Sequence, residues 1–205
     1  PMYTPVPPSL ADYLNLNVDK HSYNITEAAS ILDAAGYMDF DEDGWRNDPV
    51  TERNVNLTFY YRTDDPYRTA FFSWYQGQLT SIGLGVTPKP IVFGEVPELI
   101  MKNKEFNLYT GGWSFLGRGT EFLYDLYHSS MYWHPDICYN YVHFNDTEYD
   151  YYSSIVKYPA DFETAKNATL ECQRILASEG RIGIIPLLCS VPQKAYRKYY
   201  GHWPG

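Results

Sequence analysis

Between residues 24 and 113 the sequence alternates three times between a helical and a strand-like pattern of apolar residues, and this alternation restricts the fold more than any other feature. The predicted helices cover residues 24–36, 65–83 and 97–102, and the predicted strands cover residues 55–61, 86–93 and 106–113. Helices that alternate with strands in this order are typical of an α/β layer. The sequence therefore predicts a sheet covered by helices, within one domain that spans residues 1–205.

Capping residues and prolines define the ends of several of these elements. Asn24, with Glu27 three residues later, approximates a capping box, and Asp65 followed by Pro66 is a strong helix start. Prolines interrupt the strand-like residues 86–93, which indicates a strand at the edge of the sheet.

Other patterns occupy the two ends of the chain. The proline-rich residues 1–8 are expected to be extended and not helical, and residues 1–20 as a whole are expected to form a linker or entry segment. Two helices are predicted over residues 147–157 and 162–178. A strand over residues 181–190 and a helix over residues 192–200 are predicted to follow them.

Residues 108–130 combine several features of a ligand site. A strand-like run ends at Gly111 and Gly112, Trp113 follows, and a loop with two further glycines leads into an aromatic helix. A strand that ends in glycines, an aromatic residue and a loop is a common way for α/β proteins to build the wall of a ligand site. The same pattern fits a buried tryptophan beside an ordinary strand-to-helix turn. Local sequence leaves both interpretations open.

Composition narrows the classes of partner. The net charge is −9 and no stripe of Lys and Arg is present to neutralise phosphates, which argues against nucleic acid. The 21 tyrosines suit either a cleft for polar ligands or packing within strands.

No apolar run reaches the length of a membrane span, and three widely spaced cysteines indicate neither zinc nor a disulfide framework. Four glycosylation sequons favour an extracytoplasmic location, and they begin at Asn24, Asn56, Asn145 and Asn167.

Residues 39–50 contain the first half of a calcium loop. Asp39, Asp41, Asp43 and Gly44 match the pattern D-x-D-x-D-G, in which oxygen ligands alternate and glycine makes the sharp bend. The twelfth position, which normally supplies a bidentate Glu, is Val50. A structural calcium ion and a polar turn without a metal are both compatible with this pattern, and no other cofactor is expected.

The sequence contains no recognisable motif for catalysis. It has no HExxH, no GxSxG, no P-loop and no dinucleotide fingerprint. Carboxylates one helical turn apart, such as Glu121 and Asp125, usually lie on a solvated helix face. We therefore expect a protein that is not an enzyme. Its aromatic and acidic residues alone suggest one alternative, a secreted carbohydrate-active module or hydrolase.

Several segments, taken in order, resemble family 5 of the extracellular solute-binding proteins, which bind oligopeptides, dipeptides or nickel for ABC importers. The segments AASILDAAGY (residues 28–37) and DFDEDGWR (residues 39–46) resemble the helix and acidic turn of that family. Further similar segments are Gly112-Trp113, FLYDLYHS (residues 122–129), Asn140-Tyr141, residues 145–152, LECQRILA (residues 170–177) and IIPLL (residues 184–188). Each segment is short, but their joint order and spacing are specific.

This resemblance implies an α/β lobe of a type II periplasmic-binding-protein fold, with a mixed sheet covered by helices. The chain would be the C-terminal ligand-binding lobe of a larger, two-lobed protein that closes over its ligand by a hinge motion. The implied function is to capture a peptide-like solute, a sugar or a chelate for the membrane subunits of an ABC transporter. The implied location is the periplasm or the cell surface, with a membrane anchor N-terminal to this sequence.

The resemblance also indicates a ligand-binding site. Trp113 would form its flat apolar wall, and Tyr139, Asn140 and Tyr141 would supply polar contacts. Peptide-binding members usually carry an Asp shortly after the tryptophan, which pairs with the ammonium group of the peptide. This sequence has Arg118 in that loop, so we expect a ligand that is not anchored through an amino terminus. Arg118 would bind an anion or remain a solvated loop charge.

Overall fold

The computed structural model describes residues 2–113, 119–132, 139–178 and 184–189, and within them helices alternate with strands as the sequence predicts. The α-helices are α1 (Ile25–Ala34), α2 (Pro66–Ser81), α3 (Phe122–Tyr127), α4 (Thr147–Lys157) and α5 (Phe162–Ala177). The strands are β1 (Asn56–Arg62), β2 (Gly85–Ile91) and β3 (Leu108–Tyr109). A π-helix covers Pro97–Asn103, and short 3-10 helices cover Pro8–Tyr13, Phe93–Glu95 and Ser129–Tyr132.

The three strands form a parallel sheet in the order β2-β1-β3. β1 pairs with β2 over its whole length and with β3 through Phe59 and Tyr60. Parallel neighbours need a crossover connection, and α2 supplies it between β1 and β2. Phe72 of α2 packs edge-on against Phe59, with ring centroids 5.0 Å apart. The predicted α/β lobe with a sheet covered by helices is confirmed, and the proline-containing β2 lies at the edge as predicted. The resemblance implies a mixed sheet, whereas the strands within the described residues are all parallel.

The helix starts follow from side-chain caps that are visible in the sequence. Asn24 Oδ1 accepts the N–H of Glu27 at 3.1 Å, which is the first half of the predicted capping box, whereas Glu27 Oε2 accepts Nδ2 of Asn24 at 3.1 Å in place of its backbone N–H. Asp65 Oδ1 accepts the N–H of Tyr67 at 3.0 Å, directly before the first turn of α2. Each of these two caps satisfies an N–H group that the start of a helix otherwise leaves without a partner.

β3 is much shorter than the strand predicted over residues 106–113. The N–H of Thr110 still donates to the carbonyl of Tyr60 at 3.1 Å, but the N–H of Gly111 turns back to the carbonyl of Tyr109 at 2.9 Å. The regular ladder therefore ends where the first glycine begins, and Trp113 lies beyond the strand.

The predicted strand over residues 181–190 is not regular where the structure describes it. Residues 184–189 have no assigned helix or strand, although the N–H of Met2 donates to the carbonyl of Leu187 at 3.1 Å. The other residues of this predicted strand, and the helix predicted over residues 192–200, lie outside the described residues.

The segment expected to be a linker packs against α5. Thr4 Oγ1 donates to Oε1 of Gln173 at 2.9 Å, and the N–H of Asn15 donates to the same oxygen at 3.0 Å. Six of its residues form the 3-10 helix Pro8–Tyr13, which the sequence analysis does not predict. The segment is therefore part of the helical layer.

Two apolar clusters form the interior. The larger cluster involves α3, α4, α5 and the N-terminal segment, and its most buried members are Val6, Leu123, Tyr149, Cys172 and Ile175. The smaller cluster contains the end of β2 and the π-helix, and its buried members are Ile91, Val96 and Ile100. Trp113 and Tyr139 pack against the larger cluster, whereas Tyr141 packs against the smaller one. Residues predicted for the ligand site thus lie where the two clusters meet.

Candidate functional site

The carboxyl ends of β1 and β3 lie at one edge of the sheet, and the candidate site is built there. Thr110 follows β3, and its Oγ1 accepts the N–H of Arg62, the last residue of β1, at 3.3 Å. Gly111 and Gly112 come next and are exposed, so their backbone is open to solvent. Open α/β sheets bind ligands outside the carboxyl ends of their strands. This edge is therefore the place where the fold favours a ligand.

Three half-buried aromatic residues line this edge, and we call Trp113, Tyr139 and Tyr141 the aromatic wall. The rings of Trp113 and Tyr141 are stacked, with centroids 6.0 Å apart and an interplanar angle of 22°. Tyr139 meets Trp113 edge-on, with centroids 5.3 Å apart. Aromatic pairs in these arrangements stabilise each other beyond the area they bury. The structure thus brings together three of the five residues predicted for the site.

The hydroxyl of Tyr141 is neutral and lies close to the glycine turn. Burial is the main cause that raises the pKa of Tyr141, the neighbouring Tyr109 raises it further, and a hydrogen bond with Trp113 opposes both. A Cβ built on Gly111 would lie 3.0 Å from this hydroxyl oxygen, so glycine leaves the room that it needs. Tyr141 is therefore a neutral hydrogen-bonding group beside an accessible backbone.

Asn140 does not have the role predicted for it, because its amide is buried and already bonded. Its Nδ2 donates to the carbonyl oxygens of Phe144 (2.8 Å), His128 (3.1 Å) and Tyr127 (3.3 Å). Its Oδ1 accepts the N–H of Phe144 at 3.0 Å. A fully buried amide with these partners holds the backbone in place and cannot reach a ligand at the surface. We therefore correct the predicted ligand contact to a structural role.

Arg118, the fifth predicted site residue, lies outside the described residues, so its predicted contact with an anion stays a prediction.

The acidic turn brings its three aspartates together. Carboxylate oxygens of Asp39, Asp41 and Asp43 lie within 4.8 Å of one another, and all three residues are exposed. The two oxygens of Asp39 accept the N–H groups of Asp43 (3.1 Å) and Gly44 (2.9 Å). These bonds close the turn through protein atoms, and calcium stays a prediction.

Two residues of this edge, Arg68 and Tyr109, are missing from the sequence-based prediction. Arg68 belongs to α2, and its Nη1 donates to the carbonyl of Thr110 at 2.6 Å. Tyr109 ends β3 and meets Tyr141 edge-on at 6.1 Å. The only local signal for Arg68 is its position three residues after the helix cap Asp65. Nothing local shows that the start of α2 lies beside the end of β3.

Comparison with known families identifies the wider group of proteins. Residues 1–133 match the family model described as bacterial extracellular solute-binding proteins, family 5 middle, and this is well over half of the chain. The chain belongs to this family. Family 5 consists of extracellular proteins that bind solutes and do not catalyse reactions, so the alternative of a secreted hydrolase is not supported. A search of curated proteins gave no match.

Several solved structures of binding proteins share this fold. AppA from Bacillus subtilis, an oligopeptide-binding protein in complex with a nonapeptide, has a TM-score of 0.76 and 24% identity, over 86% of this chain and 34% of that protein. An oligopeptide-binding protein from Thermotoga maritima with bound mannohexaose has a TM-score of 0.67 and 18% identity, over 88% and 32%. NikZ from Campylobacter jejuni in complex with Ni(L-His) has a TM-score of 0.65 and 16% identity, over 78% and 31%.

The chain spans about a third of the length of these proteins. Among the helices of the described residues, none has both the length and the apolar character needed to cross a membrane.

Proposed function

We propose that this chain is the C-terminal ligand-binding lobe of an extracytoplasmic substrate-binding protein that captures a peptide-like or other small polar solute for an ABC importer. The aromatic wall at the carboxyl edge of the parallel sheet is the observation that supports this proposal most strongly. It lies at the edge that the fold favours for ligands, in a chain that belongs to a family of solute-binding proteins.

The chemistry of this edge suits a solute that has both flat apolar surfaces and polar groups. The rings of the aromatic wall offer flat surfaces, and neutral tyrosine hydroxyls offer hydrogen bonds. The backbone of Gly111 and Gly112 is exposed and adds polar groups to this edge, although the N–H of Gly111 already donates to Tyr109 and the guanidinium of Arg68 lies beside Gly112. A peptide backbone combines these properties, and so does a sugar or a metal chelate. The nonapeptide of AppA makes a peptide-like solute our first choice.

We further propose that Arg118 replaces the acid that peptide-binding members usually carry after the tryptophan. A guanidinium offers a fork of five donors that fits a carboxylate or another anion, whereas an ammonium group would be repelled. We expect Arg118→Ala in the full-length protein to weaken binding of a solute with an anionic group. A bound peptide with a free amino terminus and an affinity that Arg118→Ala leaves unchanged would defeat this part of the proposal.

We expect the full-length protein to be membrane-anchored and to deliver its solute to the membrane subunits of the transporter.

A structural calcium ion in the acidic turn would appear as heat in a calorimetric titration, and Asp41→Asn would remove that heat. A titration with millimolar calcium that gives no heat in the unchanged protein would exclude the ion.

Native mass spectrometry of the full-length protein is the experiment that tests the proposed function. The protein is purified without denaturation, and its mass is compared before and after unfolding. We expect a small solute to be released on unfolding, and small-angle scattering to show a more compact protein when that solute is added back. A protein that carries no solute, and whose dimensions do not change with peptide, oligosaccharide or nickel-histidine mixtures, would contradict the proposal.

A further inference from the structure

Arg68 near the start of α2 connects this helix to the turn that precedes Trp113. Its Nε lies 3.1 Å from Oδ2 of Asp65, the residue that caps α2. The same cap accepts the backbone N–H groups of Tyr67 and of Arg68 itself. The guanidinium is therefore held by the cap of its own helix.

The guanidinium also binds the turn that follows β3. Its Nη1 donates to the carbonyl oxygen of Thr110 at 2.6 Å. Thr110 is only 7% exposed, and its Oγ1 accepts the N–H of Arg62 at the end of β1. One side chain thus joins the start of α2 to the carboxyl ends of β1 and β3.

The space beside Gly112 is filled by this guanidinium. A Cβ built on Gly112 would lie 2.4 Å from Nη2 of Arg68 and 3.3 Å from its Cζ. The φ of Gly112 is not in the left-handed region, so other residues could adopt its backbone conformation. A side chain at this position would therefore have to displace the guanidinium of Arg68 from its contacts.

The charge of Arg68 also acts on the aromatic residues of this edge. Burial raises the pKa of both Tyr109 and Tyr141, and the positive charge of Arg68 opposes this effect on both hydroxyls. Arg68 therefore lies close to the phenol groups as well as to the glycine turn.

We propose that Arg68 and Gly112 form a matched pair that positions Trp113 and Tyr141 for ligand binding. Arg68 is a positioning residue in this account: it fixes the turn at residues 110–112, from which Trp113 follows directly. The inference rests on the proposed function, since positioning for a ligand presupposes that the aromatic wall binds one.

A double-mutant cycle in the full-length protein tests the pairing. We expect Gly112→Ala to lower Tm by about 1 °C or more, because the new methyl group displaces the guanidinium. In the Arg68→Ala background the same substitution should leave Tm unchanged, since the space is then empty. Gly77→Ala is the matched control and should not lower Tm, because a Cβ at this glycine of α2 meets nothing within 4 Å and alanine favours a helix interior. Tm losses that simply add in the double variant would overturn the pairing.

The indole N–H signal of Trp113 in an ¹⁵N-correlated NMR spectrum tests the positioning. Trp113→Phe identifies the signal, and we expect Arg68→Ala and Gly112→Ala each to shift it. Arg68→Lys should not restore the signal, because an ammonium group cannot span the two contacts of the guanidinium fork. Arg174→Ala is the matched control: Arg174 has a comparable ion pair with Glu171 three residues earlier, with Nε and Oε2 2.6 Å apart. That variant should lower Tm and leave the Trp113 signal in place.

An unshifted Trp113 signal in both Arg68→Ala and Gly112→Ala would overturn the proposal and leave Arg68 as a residue that only stabilises α2.

A pool of random pentapeptides serves as the binding probe. If the unchanged protein binds the pool, both variants should weaken binding about tenfold or more. If it does not, the peptide form of the proposed function fails, and the NMR result still decides whether Arg68 positions the wall.

Discussion

At the scale of single residues, Asn140 determines the shape of the segment that carries two members of the aromatic wall. Its neighbours Tyr139 and Tyr141 are half-buried, whereas Asn140 itself is fully buried. Alternate residues of this segment therefore differ in role. The amide of Asn140 binds backbone groups, and the rings of Tyr139 and Tyr141 form part of the aromatic wall. A polar residue next to a ligand site need not touch the ligand.

Replacement of Asn140 should destabilise the protein strongly. Asn140→Ala would leave the carbonyls of Tyr127, His128 and Phe144 without their donor, and buried polar groups without partners are costly. We expect the free energy of unfolding to fall by about 3 kcal/mol, measured by urea denaturation. Asn17→Ala, at an exposed position, is the control and should change it by less than about 0.5 kcal/mol. A small loss for Asn140→Ala would contradict the structural role.

His128 should make stability depend on pH. The N–H of Ser130 donates to its Nδ1 at 3.1 Å, so the neutral ring carries its proton on Nε2, which faces Ser154 Oγ at 3.2 Å. Burial lowers the pKa of His128, and the Asp150 carboxylate, 3.9 Å from Nδ1, opposes this only in part. As the pH falls, His128 therefore binds a proton at a higher pH in the unfolded chain than in the folded protein.

The stabilisation from neutral His128 should be complete above its unfolded pKa of about 6.5 and should be lost as the pH falls through that value towards the lower folded pKa. Urea denaturation between about pH 7.5 and 5 measures this loss. His128→Asn keeps an acceptor for Ser130 and does not titrate, so its stability should fall less over this range. Carboxyl groups with a lowered pKa, such as those of Asp48 and Asp161, change the stability only at more acidic pH. If the free energy of unfolding fell equally with pH in the unchanged protein and in His128→Asn, the role of His128 would be refuted.

At the scale of elements, Arg46 joins the end of α1 to the end of α2. Its Nε donates to the carbonyl of Ile82 at 2.6 Å, and its Nη1 binds Asp33 and the carbonyl of Tyr37. Its side chain is 12% exposed. Gly83, in the left-handed region at φ +81°, gives this side chain the space it needs, since a Cβ there would lie 3.1 Å from Arg46 Cγ.

Arg46→Met should therefore lower the free energy of unfolding by about 1 to 2 kcal/mol, because Met keeps much of the apolar stem and leaves the partly buried carbonyls of Tyr37 and Ile82 without this donor. Arg53→Met, at an exposed position between the acidic turn and β1, is the control and should change stability by less than about 0.5 kcal/mol. Chemical denaturation of the two variants measures the difference. Equal effects would show that Arg46 does not connect these elements.

Local signals in the sequence are sufficient for the helices but not for the parts that depend on distant partners. Asn24 and Asp65 mark helix starts because their caps use residues two or three positions away. The end of β3 depends on the glycines that follow Thr110 and on an arginine of α2, so periodicity alone overestimates the strand. The resemblance predicts a ligand contact for Asn140, whereas its structural role depends on burial and on bonds to Tyr127 and His128, which lie more than ten positions away and leave no local signal.

At the scale of the whole molecule, the length of the chain can be compared with that of proteins that share its fold. It covers about a third of the length of AppA and of other solved proteins with this fold. Two-lobed binding proteins close over a ligand, and both lobes contribute to affinity. We therefore expect this lobe alone to bind much more weakly than the full-length protein, with the aromatic wall forming one side of the closed site.

Calorimetric titration of the full-length protein with the solute that native mass spectrometry identifies is the most direct test of this wall. Trp113→Ala removes its central ring, and Trp74→Ala removes a ring of α2 that is 48% exposed and packs against Tyr23. We predict that Trp113→Ala weakens binding about 30-fold, or about 2 kcal/mol, while Trp74→Ala leaves the Kd within about twofold of the unchanged protein. Equal affinities of the unchanged protein and Trp113→Ala would contradict the central claim that the aromatic wall is the ligand site.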